Sequence, residues 1–220
     1  GKIVFITGGN RGLGFETAKR LGSLGMTLLI GSRKLSNGQL AVNQLQALGY
    51  NAETIHYDAH EPRLIDAVCK HIDDKYGKLD VLVNNAGILL EQVMGKNSSS
   101  SVSPAVLEKT FQVNVFAIVA LSQKLLPLIK KSDAGRIVNL SSILGSHTLH
   151  SMKNSLIEPA KAFAYNASKS ALNAYTIHLA HELRNTSVKV NSAHPGWVKT
   201  ELGGPDAPME IVDSYKTCTR

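Results

Sequence analysis

Short apolar runs alternate with longer amphipathic runs along most of the chain. The apolar runs are rich in β-branched residues, as in KIVFIT at 2–7, which is typical of buried strands. The predicted strands are 2–7, 27–31, 52–57, 80–85, 135–142 and 188–193. The predicted helices are 13–25, 38–48, 61–76, 104–130 and 162–184. Gly49 and Gly77 directly follow two of these helices and are expected to end them.

This alternation predicts a doubly wound, Rossmann-type α/β fold, in which right-handed crossovers place helices on both faces of a parallel sheet. Neither an internal repeat nor an interdomain linker is visible, so one domain is expected over 1–220. Two stretches interrupt the pattern. The serine-rich segment 95–103 is expected to be a mobile surface loop, and 145–161 is expected to be irregular.

Composition narrows the classes of protein to consider. With 43% hydrophobic and 19% charged residues, the chain has the balance of an ordinary globular protein. Its longest apolar run, Val115–Leu121, is too short to cross a bilayer, and no targeting signal is recognisable, although the sequence begins at Gly1. Cys69 and Cys218 match no metal or redox spacing, so a reducing cytoplasm is expected. The net charge of +7 is scattered, so no nucleic-acid partner is expected.

A glycine-rich turn, TGGNRGLG at 7–14, lies between the first predicted strand and the first helix. Such a turn lets backbone N–H groups approach a phosphate, and the helix N-terminus favours the negative charge. The spacing is G-x3-G-x-G, a variant of the common dinucleotide fingerprint. The turn is therefore a candidate dinucleotide site, with a ligand-free glycine turn as the alternative. Its candidate contacts are Gly8, Asn10, Arg11, Gly12, Leu13 and Gly14.

The end of the second predicted strand favours NADP over NAD. An acidic residue at this place would bind the adenosine ribose hydroxyls of NAD, whereas this chain has Ser32, Arg33 and Lys34. A guanidinium can hold a 2′-phosphate through two hydrogen bonds, and Arg11 is a second candidate for that role. The alternative is that Arg33 and Lys34 are solvated surface charges.

A tyrosine and a lysine, Tyr165 and Lys169, lie four positions apart among small residues in the last predicted long helix. Residues at this spacing share one helix face, so the ammonium would lie near the phenol and lower its pKa from about 10. Such a tyrosine could protonate a carbonyl oxygen during reduction, or deprotonate an alcohol in reverse. The pair alone is a weak signal, because an exposed helix pair has the same spacing.

Polar residues that follow the predicted strands strengthen the hypothesis that Tyr165 and Lys169 take part in proton transfer. Ser141 and Ser142 end the fifth strand, NNAG at 84–87 ends the fourth, and Thr200 follows the sixth. In a doubly wound sheet, ligands bind beyond the carboxyl ends of the strands, so these groups are expected in one crevice.

With these motifs in order, the chain resembles the short-chain dehydrogenase/reductase family, in particular its carbonyl reductases. The resemblance covers nearly all 220 residues and is carried by TGGNRGLG, NNAG, VN at 113–114, SS at 141–142, YNASK and PGWVKT. The glycine spacing matches the family's short subtype. Sugar-nucleotide-modifying members usually have G-x-x-G-x-x-G, which Arg11 excludes here, and this argues against an epimerase or dehydratase.

The resemblance implies roles for individual residues. Tyr165 would be the proton donor or acceptor, and Lys169 would lower its pKa and bind the nicotinamide ribose. Ser142 would orient the substrate carbonyl, and Asn114 would hold a water in a proton relay. The further cofactor contacts that the resemblance implies are Asp58 at the adenine, Asn85, Ala86 and Gly87 beside it, and Pro195, Gly196, Val198 and Thr200 around the nicotinamide. The family uses no metal, so none is expected.

Two departures from the family qualify the resemblance. The segment between Ser142 and Tyr165 is longer than usual, and the extra residues at 145–163 are expected to shape the substrate pocket. Monomeric carbonyl reductases of the family carry a still longer insertion, so a homodimer, a homotetramer and a monomer all stay open. The family normally has a seventh strand, for which this sequence shows no counterpart. Either the C-terminus is incomplete or the sheet closes differently.

The sequence therefore predicts a cytoplasmic NADP(H)-dependent oxidoreductase that acts on a small carbonyl or alcohol, without a nucleic-acid or membrane partner. A catalytically silent dinucleotide-binding sensor or scaffold is the alternative. The full set of Asn114, Ser142, Tyr165 and Lys169 argues against it, because a silent protein would be free to lose one of them.

Overall fold

The computed structural model describes residues 1–92 and 98–214. Six parallel strands form one sheet in the order β3-β2-β1-β4-β5-β6. The chain fills one half of the sheet from β1 outward and then returns to the other side of β1 with β4. The strands are β1 Ile3–Thr7, β2 Thr27–Ser32, β3 Ala52–His56, β4 Val81–Asn84, β5 Arg136–Leu140 and β6 Lys189–Ala193.

Helices connect these strands across both faces of the sheet. They are α1 Gly12–Ser23, α2 Leu35–Ala47, α3 Pro62–Tyr76, α4 Pro104–Phe111, α5 Ala117–Lys130, α6 His147–Ser151, α7 Phe163–Glu182 and α8 Ile211–Ser214. A π-helical segment, Gln112–Phe116, joins α4 to α5, and a 3₁₀ turn, Ile143–Gly145, follows β5. The predicted α/β fold with a parallel sheet is confirmed.

The core consists of two apolar layers, one on each face of the sheet. Ile3 and Phe5 of β1 belong to the layer that includes Leu125 of α5, while Val4 and Ile6 belong to the other layer. Neighbouring residues of a strand point to opposite faces, so both faces of β1 are buried. This explains why the strand reads as a continuous apolar run.

Several predicted boundaries need correction. The helix expected over 104–130 is interrupted by the π-helical segment, and β5 ends at Leu140, so Ser141 and Ser142 lie beyond the strand. The stretch 145–161 is not wholly irregular, because it contains α6. Within the serine-rich segment, residues 95–97 lie outside the described residues, as does Cys218.

Within the described residues, one helical stretch has the length and hydrophobicity of a membrane span. The continuous helical stretch 104–130 is long and apolar enough to cross a membrane, but 56% of its most apolar window is buried inside the protein. The core helix of a globular protein has the same properties. In residues 1–92 and 98–214, no three His, Cys, Asp or Glu side chains are grouped as metal ligands would be.

Candidate active site

The loop between β1 and α1 forms a tight glycine turn. Gly8 and Gly12 have φ values of +63° and +55°, a left-handed conformation that glycine adopts without side-chain strain. A Cβ atom on Gly14 would lie 2.5 Å from the Gly8 carbonyl oxygen and 2.5 Å from Asn85 Nδ2. The backbone therefore crosses here too closely for any side chain. This cradle at the N-terminus of α1 fits a phosphate group, as the sequence predicts.

Hydrogen bonds tie the glycine turn to the segment that follows β4. The Thr7 hydroxyl oxygen accepts the N–H groups of Asn85 and Ala86, each at 3.0 Å. In return, Asn85 Nδ2 donates to the carbonyl oxygens of Thr7 at 2.8 Å and Gly8 at 3.1 Å. The carboxyl ends of β1 and β4 are therefore hydrogen-bonded to each other beside the phosphate cradle. Asn10 and Leu13 are half-buried in the same region.

Basic side chains border the glycine turn on the side of β2. Ser32 is buried at the end of β2 and donates to the Lys34 carbonyl oxygen at 2.9 Å, while Arg33 is exposed. Arg11 is also exposed and forms an ion pair with Glu201. Asp58 follows β3, where one of its carboxylate oxygens accepts the His60 N–H at 3.0 Å. The predicted contacts at the adenosine end thus lie on neighbouring strand ends.

Asn114 is fully buried in the π-helical segment. Its Oδ1 accepts the Ile88 N–H at 2.9 Å, and its Nδ2 donates to the Ile88 carbonyl oxygen at 2.9 Å and to the Ser168 hydroxyl at 3.1 Å. Ser168 in turn donates to the Tyr165 carbonyl oxygen at 2.7 Å. Asn114 therefore joins the segment after β4 to α7, close to the candidate catalytic pair.

Tyr165 and Lys169 lie on the buried face of α7. The Lys169 ammonium nitrogen is 5.6 Å from the centre of the Tyr165 ring and donates to the Leu140 carbonyl oxygen at 2.7 Å. The phenol of Tyr165 is hydrogen-bonded to Ser142. A Cβ atom on Gly87 would lie 3.8 Å from the Lys169 nitrogen, so this glycine keeps the approach to the ammonium open. The structure brings the predicted proton-transfer residues together.

Burial controls the ionisation of this pair. It raises the pKa of Tyr165 to about 12, although the hydrogen bond with Ser142 acts in the opposite direction. Burial also lowers the pKa of Lys169 to about 8. The expectation that Lys169 brings the pKa of Tyr165 below its ordinary value is therefore wrong for this structure. The reason is that desolvation disfavours the charged form of both groups.

The segment after β6 lies against the phosphate cradle. A Cβ atom on Gly12 would be 3.7 Å from the methyl group of Thr200. Val198 is buried and forms a short parallel bridge with Met209, while Pro195 and Gly196 are half-buried. The predicted nicotinamide contacts therefore border the same crevice as the glycine turn.

The insertion at 145–163 is fastened by polar contacts. His150 Nε2 is 3.0 Å from the Leu144 carbonyl oxygen, and Asn166 Nδ2 of α7 donates to the Ala160 carbonyl oxygen at 2.9 Å. A cavity of about 210 Å³ lies between the insertion and a face of α7 that includes Asn166. Asn166 is offset from Tyr165 around the helix. That the insertion shapes the substrate pocket stays a prediction.

Sequence reasoning missed two contacts at the rim of this crevice. Glu91 Oε2 accepts the backbone N–H of Tyr165 at 2.9 Å. Glu201 engages Arg11, which the sequence assigns to the cofactor phosphate. Neither glutamate belongs to a recognisable pattern, and each meets its partner through tertiary structure. No signal in a single sequence would have identified them.

The chain is similar to known proteins over most of its length. The family model for short chain dehydrogenases matches residues 2–210. Short-chain dehydrogenase/reductase 1 of Saponaria officinalis is 31% identical, and the match covers 91% of this chain and 83% of that relative. Carbonyl reductase Sniffer of D. melanogaster is 31% identical with a TM-score of 0.83, covering 97% of this chain and 88% of that structure.

Two further structures are similar over almost the whole chain. The structure of salutaridine reductase from Papaver somniferum is 26% identical with a TM-score of 0.83, covering 99% of this chain and 94% of that one. NADPH-bound carbonyl reductase from chicken fatty liver is 25% identical with a TM-score of 0.84, covering 98% and 88%. The chain therefore belongs to the short-chain dehydrogenase/reductase family of NAD(P)-dependent oxidoreductases.

Proposed function

We propose that this protein transfers a hydride between NADP(H) and the carbonyl or alcohol carbon of a small molecule, with Tyr165 as the general acid or base. The observation that carries the proposal is the meeting of Ser142, Tyr165 and Lys169 beside the glycine turn. Asn114 ties the segment after β4 to the same helix. A protein that only binds a dinucleotide has no need for this set.

The cofactor would lie along the carboxyl ends of the strands. The glycine cradle would hold its pyrophosphate, while Arg33 and Arg11 would hold the 2′-phosphate that distinguishes NADP from NAD. When bound, the nicotinamide supplies or accepts the hydride. The preference for NADP is supported by the arginine at the end of β2 and by the similar carbonyl reductase that is NADPH-bound.

The ionisation of the pair suits reduction at neutral pH. With a pKa of about 12, Tyr165 keeps its proton and can donate it to a substrate oxygen. Ser142 would donate a second hydrogen bond to that oxygen. With a pKa of about 8, Lys169 is largely charged at neutral pH, so it stabilises the phenolate that remains after proton transfer. The relay water at Asn114 stays a prediction.

The substrate would be largely apolar. The segments after β4, β5 and β6 and the start of α7 each carry an exposed apolar side chain, and these are Leu90, Ile143, Trp197 and Phe163. Contact with an apolar substrate would remove these surfaces from water, which favours binding. That the chain acts as a single catalytic domain in the cytoplasm stays a prediction, and so does its oligomeric state.

A substrate panel tests the proposed function. Purified protein is mixed with NADPH, and in parallel with NADH, against aldehydes, ketones, quinones and steroids, and cofactor oxidation is followed by absorbance. We expect turnover with NADPH on at least one apolar carbonyl. Tight NADPH binding without any turnover across the panel would favour the sensor alternative instead. Faster turnover with NADH than with NADPH would contradict the assigned roles of Arg33 and Arg11.

A further inference from the structure

The helix that carries the candidate catalytic pair begins without a cap of its own. The N-cap of α7 is Ala162, which has no side-chain acceptor, and the first turn contains no acidic residue. The first N–H groups of a helix have no partner within the helix and need an acceptor from elsewhere. The first backbone hydrogen bond of the helix runs from the Asn166 N–H to the Ala162 carbonyl oxygen, at 2.8 Å.

Glu91 supplies an acceptor from a distant part of the chain. It follows β4 in the segment that leads away from Gly87, and its Oε2 accepts the Tyr165 N–H at 2.9 Å across a separation of 74 residues. A carboxylate is the acceptor best suited to this place, because the N-terminus of a helix carries partial positive charge. Hydrogen bonds to an ionised acceptor are also stronger than neutral ones.

The position of Tyr165 makes this contact relevant to proton transfer. Tyr165 is the third residue of α7, so a loosened first turn would move its phenol away from Ser142. Lys169 lies one turn further into the helix, where its ammonium is held by the Leu140 carbonyl oxygen. Loss of the cap would therefore displace the tyrosine while the lysine keeps its place.

We propose that Glu91 is a positioning residue, which caps α7 and thereby fixes Tyr165 for proton transfer. The inference rests on the proposed function for its catalytic consequence, whereas the cap itself is independent of turnover. The same contact couples the segment after β4, which borders the crevice, to the tyrosine. Glu91 does not need to touch the substrate to act in this way.

Two variants of Glu91 and one matched control test the proposal. Glu91→Ala removes the acceptor, and Glu91→Gln keeps an amide oxygen in its place. The control is Glu182→Ala, because Glu182 is an exposed glutamate at the opposite end of the same helix. The readouts are kcat, KM, NADPH affinity and backbone amide hydrogen exchange.

We expect E91A to lower kcat by about ten- to a hundredfold, since a small misplacement of a reacting group has an effect of this size. NADPH affinity should stay unchanged, because Lys169 and the glycine turn are untouched. E91Q should recover most of the lost kcat, and E182A should behave like the parent protein. Equal losses in E91A and E91Q, or an E91A variant with the parent kcat, would overturn the proposal.

Hydrogen exchange separates this inference from the proposed function. The Tyr165 amide should exchange faster in E91A than in E91Q or E182A, while that of Leu172, deeper in α7, should keep the parent rate. This readout needs no turnover, so it tests the cap even if the substrate panel fails. Faster exchange throughout α7, with kcat and NADPH affinity falling together, would indicate a purely structural role and overturn the proposal.

Discussion

Ionisable side chains are buried at both ends of the sheet, but the net effect of the surroundings on their charged forms is opposite. At the amino end, Asp80 is buried just before β4, yet its pKa is lowered. At the carboxyl end, burial lowers the pKa of Lys169 to about 8 and raises that of Tyr165 to about 12. In one case the protein favours the charged form, and in the other it disfavours the charged form.

Hydrogen bonds account for the difference. Burial alone would raise the pKa of Asp80, but its carboxylate accepts the Ser132 hydroxyl at 2.6 Å, the Ile3 N–H at 2.8 Å and the Lys78 ammonium at 3.0 Å. Bonds to the charged form outweigh desolvation. For Lys169, desolvation is the dominant influence on the pKa. The amino end thus holds a charged group that stabilises the fold, and the carboxyl end holds the pair that we propose for proton transfer.

Apart from the loss of the tyrosine itself, the largest expected effect comes from Lys169→Met, which removes the buried ammonium. Turnover should fall by about a hundredfold or more, because the phenolate loses its neighbouring positive charge. The matched control is Lys130→Met on the exposed end of α5, which should leave turnover unchanged. Parent-like turnover in the Lys169 variant would contradict the assigned role.

The same variant makes a prediction about stability against pH. The folded pKa of Lys169 is about 8, whereas an unburied lysine titrates near about 10.4, so the unfolded chain binds more protons between these values. The free energy of unfolding of the parent protein should therefore rise with pH across this interval, by on the order of 2 kcal/mol. Denaturant titrations should show that Lys169→Met lacks this rise.

Asp80→Ala should affect stability and leave chemistry intact. Removing the carboxylate leaves the Ile3 N–H and the Ser132 hydroxyl without their acceptor, which should cost about 2–4 kcal/mol of unfolding free energy. The control Asp74→Ala breaks an exposed ion pair with Lys70 and should cost less than about 1 kcal/mol. Equal losses in chemical denaturation would contradict the account, as would a loss of kcat in folded Asp80→Ala protein.

The lowered pKa of Asp80 also determines how its contribution to stability changes with pH. Because the folded pKa is lowered, its contribution to stability is present at neutral pH and is lost as pH falls below the ordinary carboxyl value of about 4. The parent protein should therefore lose more stability in that acid range than Asp80→Ala does. Unfolding curves on both sides of this pH would measure the difference.

The smallest expected effect concerns the exposed charge at the end of β2. Arg33→Ala should weaken NADPH binding by about tenfold and leave NADH binding unchanged, since only NADPH carries the 2′-phosphate. Arg20→Ala, at the end of α1, serves as the control. Equal weakening for both cofactors would show that Arg33 does not recognise the 2′-phosphate.

Local patterns in the sequence were sufficient to predict the sheet and most helices. Both faces of β1 are covered, so its residues form a continuous apolar run, and the motifs after the strands meet because parallel strands share a carboxyl edge. The break in 104–130 was not predictable. It occurs where the Asn114 side chain bonds to Ile88, a partner that only the tertiary structure supplies.

The same reason limits prediction of the candidate site. The spacing of Tyr165 and Lys169 correctly indicates a shared helix face, but the net pKa of each group depends on how deeply α7 is buried. The contact of Glu91 with Tyr165 spans 74 residues and follows no periodicity. Sequence patterns therefore indicate which residues lie close together. Desolvation of a side chain and a cap from a distant residue become apparent only in the three-dimensional structure.

One measurement tests the central claim most directly. Single-turnover reduction is followed in the preformed complex with NADPH, using the best carbonyl from the substrate panel, for the parent protein and Tyr165→Phe. The account predicts a loss of about a thousandfold in the rate, with NADPH affinity and unfolding free energy close to those of the parent. A Tyr165→Phe variant that reduces the substrate at the parent rate would contradict it.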